Sequence, residues 1–308
     1  MSERSEHIAF DLKDFFQIDP FRVVYSKRKD PSVLNAYLDY SQYLESLRIA
    51  WQRLKQDCKE VGRVDNRIRQ IPLPNEKNDN EAALLWIKQW GLMNIVQFDV
   101  ESFINIARIM MDKLAKLIEQ LLGLSRGRSG KRSFTDHQKD FPVKHRKVHP
   151  VYADFLENKT YWYNQELLLL RDKIFSHSDT FITPWGISLH RGVIVKKMDA
   201  FGPLKEPQKT RFLAIKNKYE ARYSELKVTN NDYEMLDDFL LQIRSHDIKL
   251  DLDRNEDDNK TDLDKLGDIV SSRGVSIDEE FLESIARHIE DFMKEVMIIL
   301  ADSGHVTS

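Results

Sequence analysis

Arg171 and His177 are the residues of this chain whose types and spacing best fit a chemical reaction, and they lie in the run LLLLRDKIFSHSD over 167–179. An imidazole titrating near about pH 6.5 takes and returns protons around neutrality. A guanidinium keeps its charge and offers a rigid donor fork matched to phosphate oxygens. Together they could cleave RNA. The imidazole would take the proton of a 2'-hydroxyl, whose oxygen attacks the adjacent phosphorus in line. The guanidinium would hold the charged transition state, and the 5'-oxygen would leave protonated. That reaction needs no metal and cannot act on DNA, which lacks the internal nucleophile.

On a straight α-helix Leu167, Leu170 and Ile174 form one apolar stripe. Arg171 and His177 flank it from opposite sides, separated by about 9 Å of helical rise. A helix or second subunit packed on the stripe would leave both polar heads at the rim of a groove. A purely structural role stands beside this one: Arg171 could pair with Glu166 or Asp172, and His177 could complement the C-terminal end of its helix.

The segments around this pair are read as helices. Asp30-Pro31 is an N-cap followed by a first-turn proline. Behind it Tyr37, Tyr40, Leu44, Leu47, Trp51, Leu54, Cys58 and Val61 recur at spacings of three and four. This predicts a helix over 31–61, loosened at Gly62 and followed by a connection over 71–80. A second helix is predicted over 81–96 and a third over 99–122, the latter carrying Val100, Phe103, Ala107, Met110, Leu114, Leu117 and Leu121. A fourth is predicted over 151–177. Two short β-branched runs separated by PWG within 181–195 suggest a small hairpin or an irregular packed loop. Helices over 206–226 and 230–247 follow. A last helix begins at Ser276, which with Glu279 reads as a capping box.

The upstream helix over 99–117 and the Arg171–Asp172…His177 spacing resemble the HEPN superfamily of helical-bundle proteins. Its signature is an arginine, usually followed by a polar residue, and a histidine after four to six intervening positions. The resemblance runs from about 31 to 180 and is interrupted by 123–150. It implies an all-α antiparallel bundle in which Arg171 and His177 form the catalytic pair and Asp172 orients or tunes them. It also implies a metal-independent ribonuclease that acts as a homodimer with two signatures facing each other. Members serve toxin–antitoxin, abortive-infection or other defence systems, so an antitoxin or regulatory protein is an expected partner. Some members are inactive scaffolds, which keeps a non-catalytic helical-bundle binding protein as the alternative.

The expected organisation is therefore an N-terminal extension (1–30), a helical bundle (31–180) with a basic loop insertion, and additional C-terminal helices (181–308) packed on the same bundle. The insertion, 123–150, holds Arg126, Arg128, Lys131, Arg132, Lys139, Lys144, Arg146 and Lys147 against Asp136 and Asp140. It reads either as a solvated loop or as an RNA-contacting arm, with Phe134 and Phe141 available for base stacking. The segment 251–264 is acidic and could shield it.

Composition sets the outer limits. Hydrophobic residues make up 41% and charged residues 31% of the chain, which is enough apolar material for a packed core. Net charge is −3, from 47 basic and 50 acidic residues, so any nucleic-acid contact must be a local patch. No apolar run is long enough to span a bilayer, and MSERSEHIAFDLKD has no apolar signal core. A cytoplasmic protein without membrane contact is expected. The single cysteine, Cys58, falls on an apolar stripe and is expected in the core. His137, His145 and His149, with Asp136 and Asp140, have the atoms for a metal site. Pro142 and Pro150 bracket them, though, and no thiol or HExxH context supports them. No metal and no cofactor are expected, and no Walker, Rossmann or zinc-cysteine motif is present. GLSRGRSGK over 123–131 resembles a phosphate loop only in composition, and the remaining histidines, His288 and His305 among them, show no partner pattern.

Overall fold

The computed structural model describes residues 12–27, 30–71, 79–124, 133–168, 186–190, 193–198, 204, 206–231, 235–251, 260–273 and 277–305. They form an all-α bundle with one small sheet. The element order is α1 (Arg22–Lys27), α2 (Pro31–Gln70), α3 (Asp79–Leu121), α4 (Phe134–His145), α5 (Pro150–Lys159), β1 (Gly186–His190), β2 (Val193–Met198), α6 (Gln208–Arg222), α7 (Met235–Ser245), α8 (Asp262–Arg273), β3 (Ile277–Asp278) and α9 (Glu279–Asp302).

Helix α2 starts as expected, with the Asp30 carboxylate accepting from the Ser32 N–H at 2.8 Å and Pro31 in the first turn. All eight residues of its stripe, Cys58 included, are buried. Gly62 does not end it. The helix runs on to Gln70, because Val61 and Val64 continue the same buried face. The two helices expected over 81–96 and 99–122 are one. Val96, Val100 and Phe103 keep the stripe in phase, and Asp99 turns inward to Arg53 at 2.8 Å instead of capping a new start.

Helices α2 and α3 lie antiparallel. Lys116 bonds Asp39, Arg53 bonds Asp99, Gln89 bonds Asp65 and Arg67 bonds Glu81, so numbers rise on one helix as they fall on the other. Trp51 packs on Phe103 with ring centroids 4.9 Å apart. The N-terminal segment is more than an extension, since Leu12, Phe15, Phe16 and Phe21 are buried in the same core. Trp51 Nε1 donates to the Lys13 carbonyl at 2.9 Å. Phe16 has a left-handed φ of 64°, and it is tied on both sides: its N–H donates to Glu290, and its carbonyl accepts from Arg48 Nε at 2.8 Å.

The stretch 123–150 is not a loop throughout. Residues 134–145 form α4, opened by a capping box between Ser133 and Asp136, with Phe134, His137, Phe141 and Pro142 buried. The predicted 151–177 helix is interrupted. Helix α5 ends at Lys159, and Thr160 turns its hydroxyl back to the Leu156 carbonyl at 2.6 Å. Residues 163–168 then wind as a wider, π-type helix. The hairpin is present as β1 against β2, His190 opposite Val193, with β3 added on the β2 edge. Its reversal falls after His190 and not at PWG. Asp278, not Ser276, caps α9, accepting from the Phe281 N–H at 2.8 Å. The C-terminal helices share the core, with Phe292 of α9 packed on both Phe134 and Phe155. No helix among the described residues is long and apolar enough to cross a membrane.

Asp99 gives the α2/α3 seam a pH dependence. Burial, with the Asp57 carboxyl beside it, pushes its pKa up to about 6 despite Arg53. A carboxyl that binds its proton more tightly folded than unfolded adds stability at low pH and loses it as pH rises through the folded pKa. Asp99→Asn should therefore gain on the wild type by about 1–3 kcal/mol on going from about pH 4.5 to pH 7.5. Thermal melts of both proteins across that range check it; a difference independent of pH would count against the assignment.

Candidate functional site

The turn 161–168 leads directly into the Arg171–His177 run and is anchored on three sides. Trp162 stacks on His288 of α9, with centroids 5.3 Å apart and planes at 23°. The buried Glu166 carboxylate lies 3.2 Å from His288 Nδ1. Gln138 of α4 donates to the Thr160 carbonyl at 2.7 Å and accepts from Asn164 at 3.2 Å. Gln165 donates to the Ile248 carbonyl. Burial, then a hydrogen bond to Asp247, raises the pKa of the Tyr161 hydroxyl. π-type turns are often found at functional sites. Here the wider winding also means that a wheel of 100° per residue does not carry through 163–168.

Arg171, Asp172 and His177 themselves lie outside the described residues, as do Arg126, Arg128, Lys131 and Arg132. Glu166, one structural partner considered for Arg171, is engaged with His288. His288 is thus a packed and bonded residue, a role its lack of sequence pattern gave no sign of.

The described part of the basic stretch is compensated in part. Lys144 pairs with Asp140 at 2.5 Å, and Arg146 reaches Asp154 at 2.9 Å and also Glu157, whose bond raises the guanidinium pKa. Lys147 is exposed. The acidic segment does not meet this surface through its described residues. Asp251 binds Lys218 and Arg222 at 2.8 and 2.9 Å, and Asp262 binds Lys218 at 2.5 Å.

Beneath α4 a polar relay is buried that sequence reasoning missed. His137 Nδ1 is 3.0 Å from Glu119 Oε1, and His137 Nε2 is 3.0 Å from the Tyr152 hydroxyl. All three residues are buried. An ionised Glu119 accepts the Nδ1–H, which leaves Nε2 to accept from Tyr152. Burial, then the charge of Glu119, raises the Tyr152 pKa, so this hydroxyl stays protonated and keeps donating. The signal was present in the sequence: Phe134, His137 and Phe141 repeat at three and four, which places the histidine on a core face.

Comparison of the chain with protein-family models, with curated proteins and with solved structures finds no match.

The site must therefore be judged on its chemistry. Tyr152 also lines a cleft of about 130 Å³, with His149, His305, Leu122, Ile299 and Ser303. His149 and His305 sit 5.3 Å apart, and burial, followed by the imidazoles of His305 and His145, lowers the His149 pKa. Ligand pockets for nucleotide-sized molecules are about 300–1,000 Å³. The cleft is too small for a nucleotide. Among the described residues, no group of three or more His, Cys, Asp or Glu could hold a metal ion.

The relay is a stability element with a measurable signature. His137→Leu removes a buried hydrogen bond to the Glu119 carboxylate and should cost about 1.5–3 kcal/mol. Tyr152→Phe removes one neutral donor and should cost about 0.5–1.5 kcal/mol. Urea denaturation orders the two; equal losses would mean that Glu119 does not depend on His137.

Proposed function

We propose that this protein is a metal-independent endoribonuclease of the HEPN kind, acting on single-stranded RNA. The observation that carries the reading is the Arg171–Asp172…His177 signature, set directly behind an anchored helical turn in an all-α bundle. In this reading His177 takes the 2'-hydroxyl proton as the 2'-oxygen bonds to phosphorus. Arg171 holds the non-bridging oxygens, and Asp172 orients the arginine. The P–O5' bond breaks, and the 5'-oxygen takes up a proton. The products are a 2',3'-cyclic phosphate and a 5'-hydroxyl. Two copies with facing signatures would let one histidine act as base and the other as acid. The protein would work in the cytoplasm in a defence or toxin–antitoxin setting, restrained by an antitoxin or regulatory partner, with no membrane contact.

The basic stretch supports RNA binding in this reading, but with fewer contacts than its charge count suggests. Each phosphate neutralised contributes about 0.7 to the salt slope for a single strand. Lys144 and Arg146 already have carboxylate partners. Reversing Lys144, Arg146 and Lys147 together should therefore flatten the slope by about one contact's worth, with Lys147 contributing most. An unchanged slope would assign this surface to a protein or to solvent.

A second reading, a non-catalytic helical-bundle binding or scaffold protein, is favoured by the exposed apolar residues Leu84, Trp86, Ile87 and Trp90 on α3. One experiment separates the two. Purified protein is incubated in EDTA with mixed-sequence single-stranded RNA, beside Arg171→Ala, His177→Ala, Lys173→Ala and an all-DNA substrate. The ribonuclease reading requires cyclic-phosphate ends and no cut DNA. Losing the proton-transfer group should cost about 100- to 10,000-fold, and losing the charge donor about 100- to 1,000-fold. Lys173→Ala should keep activity. Inert wild type, or equal cleavage by all variants, gives the scaffold reading precedence.

A further inference from the structure

Two histidines far apart in sequence meet at the cleft beside α5, and neither belongs to the relay beneath α4 or to the Arg171–His177 run. His149 stands at the start of α5, its backbone N–H donating to the His145 carbonyl at 2.9 Å. His305 stands just past the end of α9. There Gly304 takes a left-handed φ of 72° and donates its N–H to the Ala301 carbonyl at 3.0 Å, and the His305 N–H donates to the Leu300 carbonyl at 2.9 Å. This pair of bonds is the glycine-terminated helix end that fixes the residue after the glycine. Both rings therefore hang from backbone that is already held. Their centroids lie 5.3 Å apart, with planes at 58°.

That separation suits two imidazoles on one ion. A zinc-class ion holds each ring nitrogen at about 2.0–2.1 Å, with the ring centre about 1.2 Å farther out. At the tetrahedral angle the two centroids then stand roughly 5.2–5.4 Å apart.

The chemistry of the cleft narrows the ligand. The His149 ring is buried and makes no hydrogen bond among the described residues. Burial and the nearby imidazoles favour its neutral form, which is the form a metal takes. No carboxylate, lysine or arginine lines the cleft. Calcium and magnesium need oxygen ligands, and an anion gains most from a permanent cation. Imidazole nitrogens suit zinc, copper and nickel. Among the described residues no third His, Cys, Asp or Glu joins the pair to complete a cage. The cleft volume of about 130 Å³ leaves room for waters at the remaining positions. The nearby His137 is engaged by Glu119 and Tyr152, and His145 packs on Phe141 and does not line the cleft.

We propose that His149 and His305 form a site for one divalent transition ion of the zinc class, with water completing a tetrahedral set. The ion staples the end of α9 to the start of α5 and exchanges readily, since the protein supplies two of its four ligands. The site is independent of the ribonuclease reading, whose reaction uses no metal.

The full-length chain, stripped with EDTA and dialysed, tests this by equilibrium dialysis against Zn²⁺ and by absorption with Co²⁺. His305→Ala and His149→Gln should each weaken binding by more than about tenfold, as losing a ligand costs at least what losing its outer-shell support does. His145→Ala should bind like the wild type. His305→Cys should restore binding and give a thiolate-to-cobalt band in the near ultraviolet, absent from the wild type, whose one cysteine, Cys58, is buried. Affinity should fall as pH drops through about 6.5, because both imidazoles must be deprotonated to bind. At a hundredfold excess over Kd, Zn²⁺ should raise the melting temperature of the wild type by a few degrees and leave that of His305→Ala unchanged. Melts in EDTA check that both variants fold. His305 is the partly exposed partner, so its variants carry the test if His149→Gln does not fold. Full Zn²⁺ binding by His305→Ala, or binding as tight at pH 5 as at pH 7.5, overturns the proposal. Loss in His145→Ala equal to that in His149→Gln assigns the ion to the 145–149 turn and overturns it. Inorganic phosphate that binds more tightly as pH falls, with no Zn²⁺ bound, assigns the pair to an anion and overturns it too.

Discussion

The antiparallel seam between α2 and α3 is the interaction on which the other elements depend. An isolated helix gains little in water from its own hydrogen bonds, and most helical stability comes from burying one face. Here two helices of 40 and 43 residues bury theirs on each other. Trp51 and Phe103 lie at the point where the N-terminal strap joins, since Phe15 and Phe16 pack on the Trp51 ring and Lys13 accepts its indole N–H. Helices α4 and α9 are held along the same pair: Asp112 of α3 accepts the Phe134 N–H at 2.7 Å, and the Tyr40 hydroxyl of α2 reaches the Met293 sulfur at 3.2 Å.

Apolar burial alone would let these long helices slide by a turn with little change in area. The buried polar groups remove that freedom, because a shift of one turn would break these bonds in a medium where lost pairing is expensive. They sit at junctions between elements. Arg53–Asp99 fixes α2 against α3, Glu119–His137–Tyr152 fixes α3, α4 and α5, and Glu166–His288 fixes the turn 161–168 against α9. Lys218 does the same for the C-terminal part by holding Asp251 and Asp262 together. The segment that leads to Arg171 is thus positioned from both its α4 and its α9 side.

The seam residues of α2 and α3 were legible in the sequence, since a spacing of three and four states which side of a helix is buried without knowing the partner. Helix ends were less so. Gly62 read as a weak point, but a buried face that continued past it outweighed its local propensity. Asp99 read as the start of a third helix; its contact with Arg53, 46 positions away, makes it an interior residue. The same limit hid the relay and His288, whose partners are 18 and 122 positions distant. Charge counting over 123–150 overstated the basic surface, because Asp154 and Glu157 come from the next helix. For the candidate site, sequence pattern identifies the Arg171–His177 signature, and the described structure adds the setting of the turn before it.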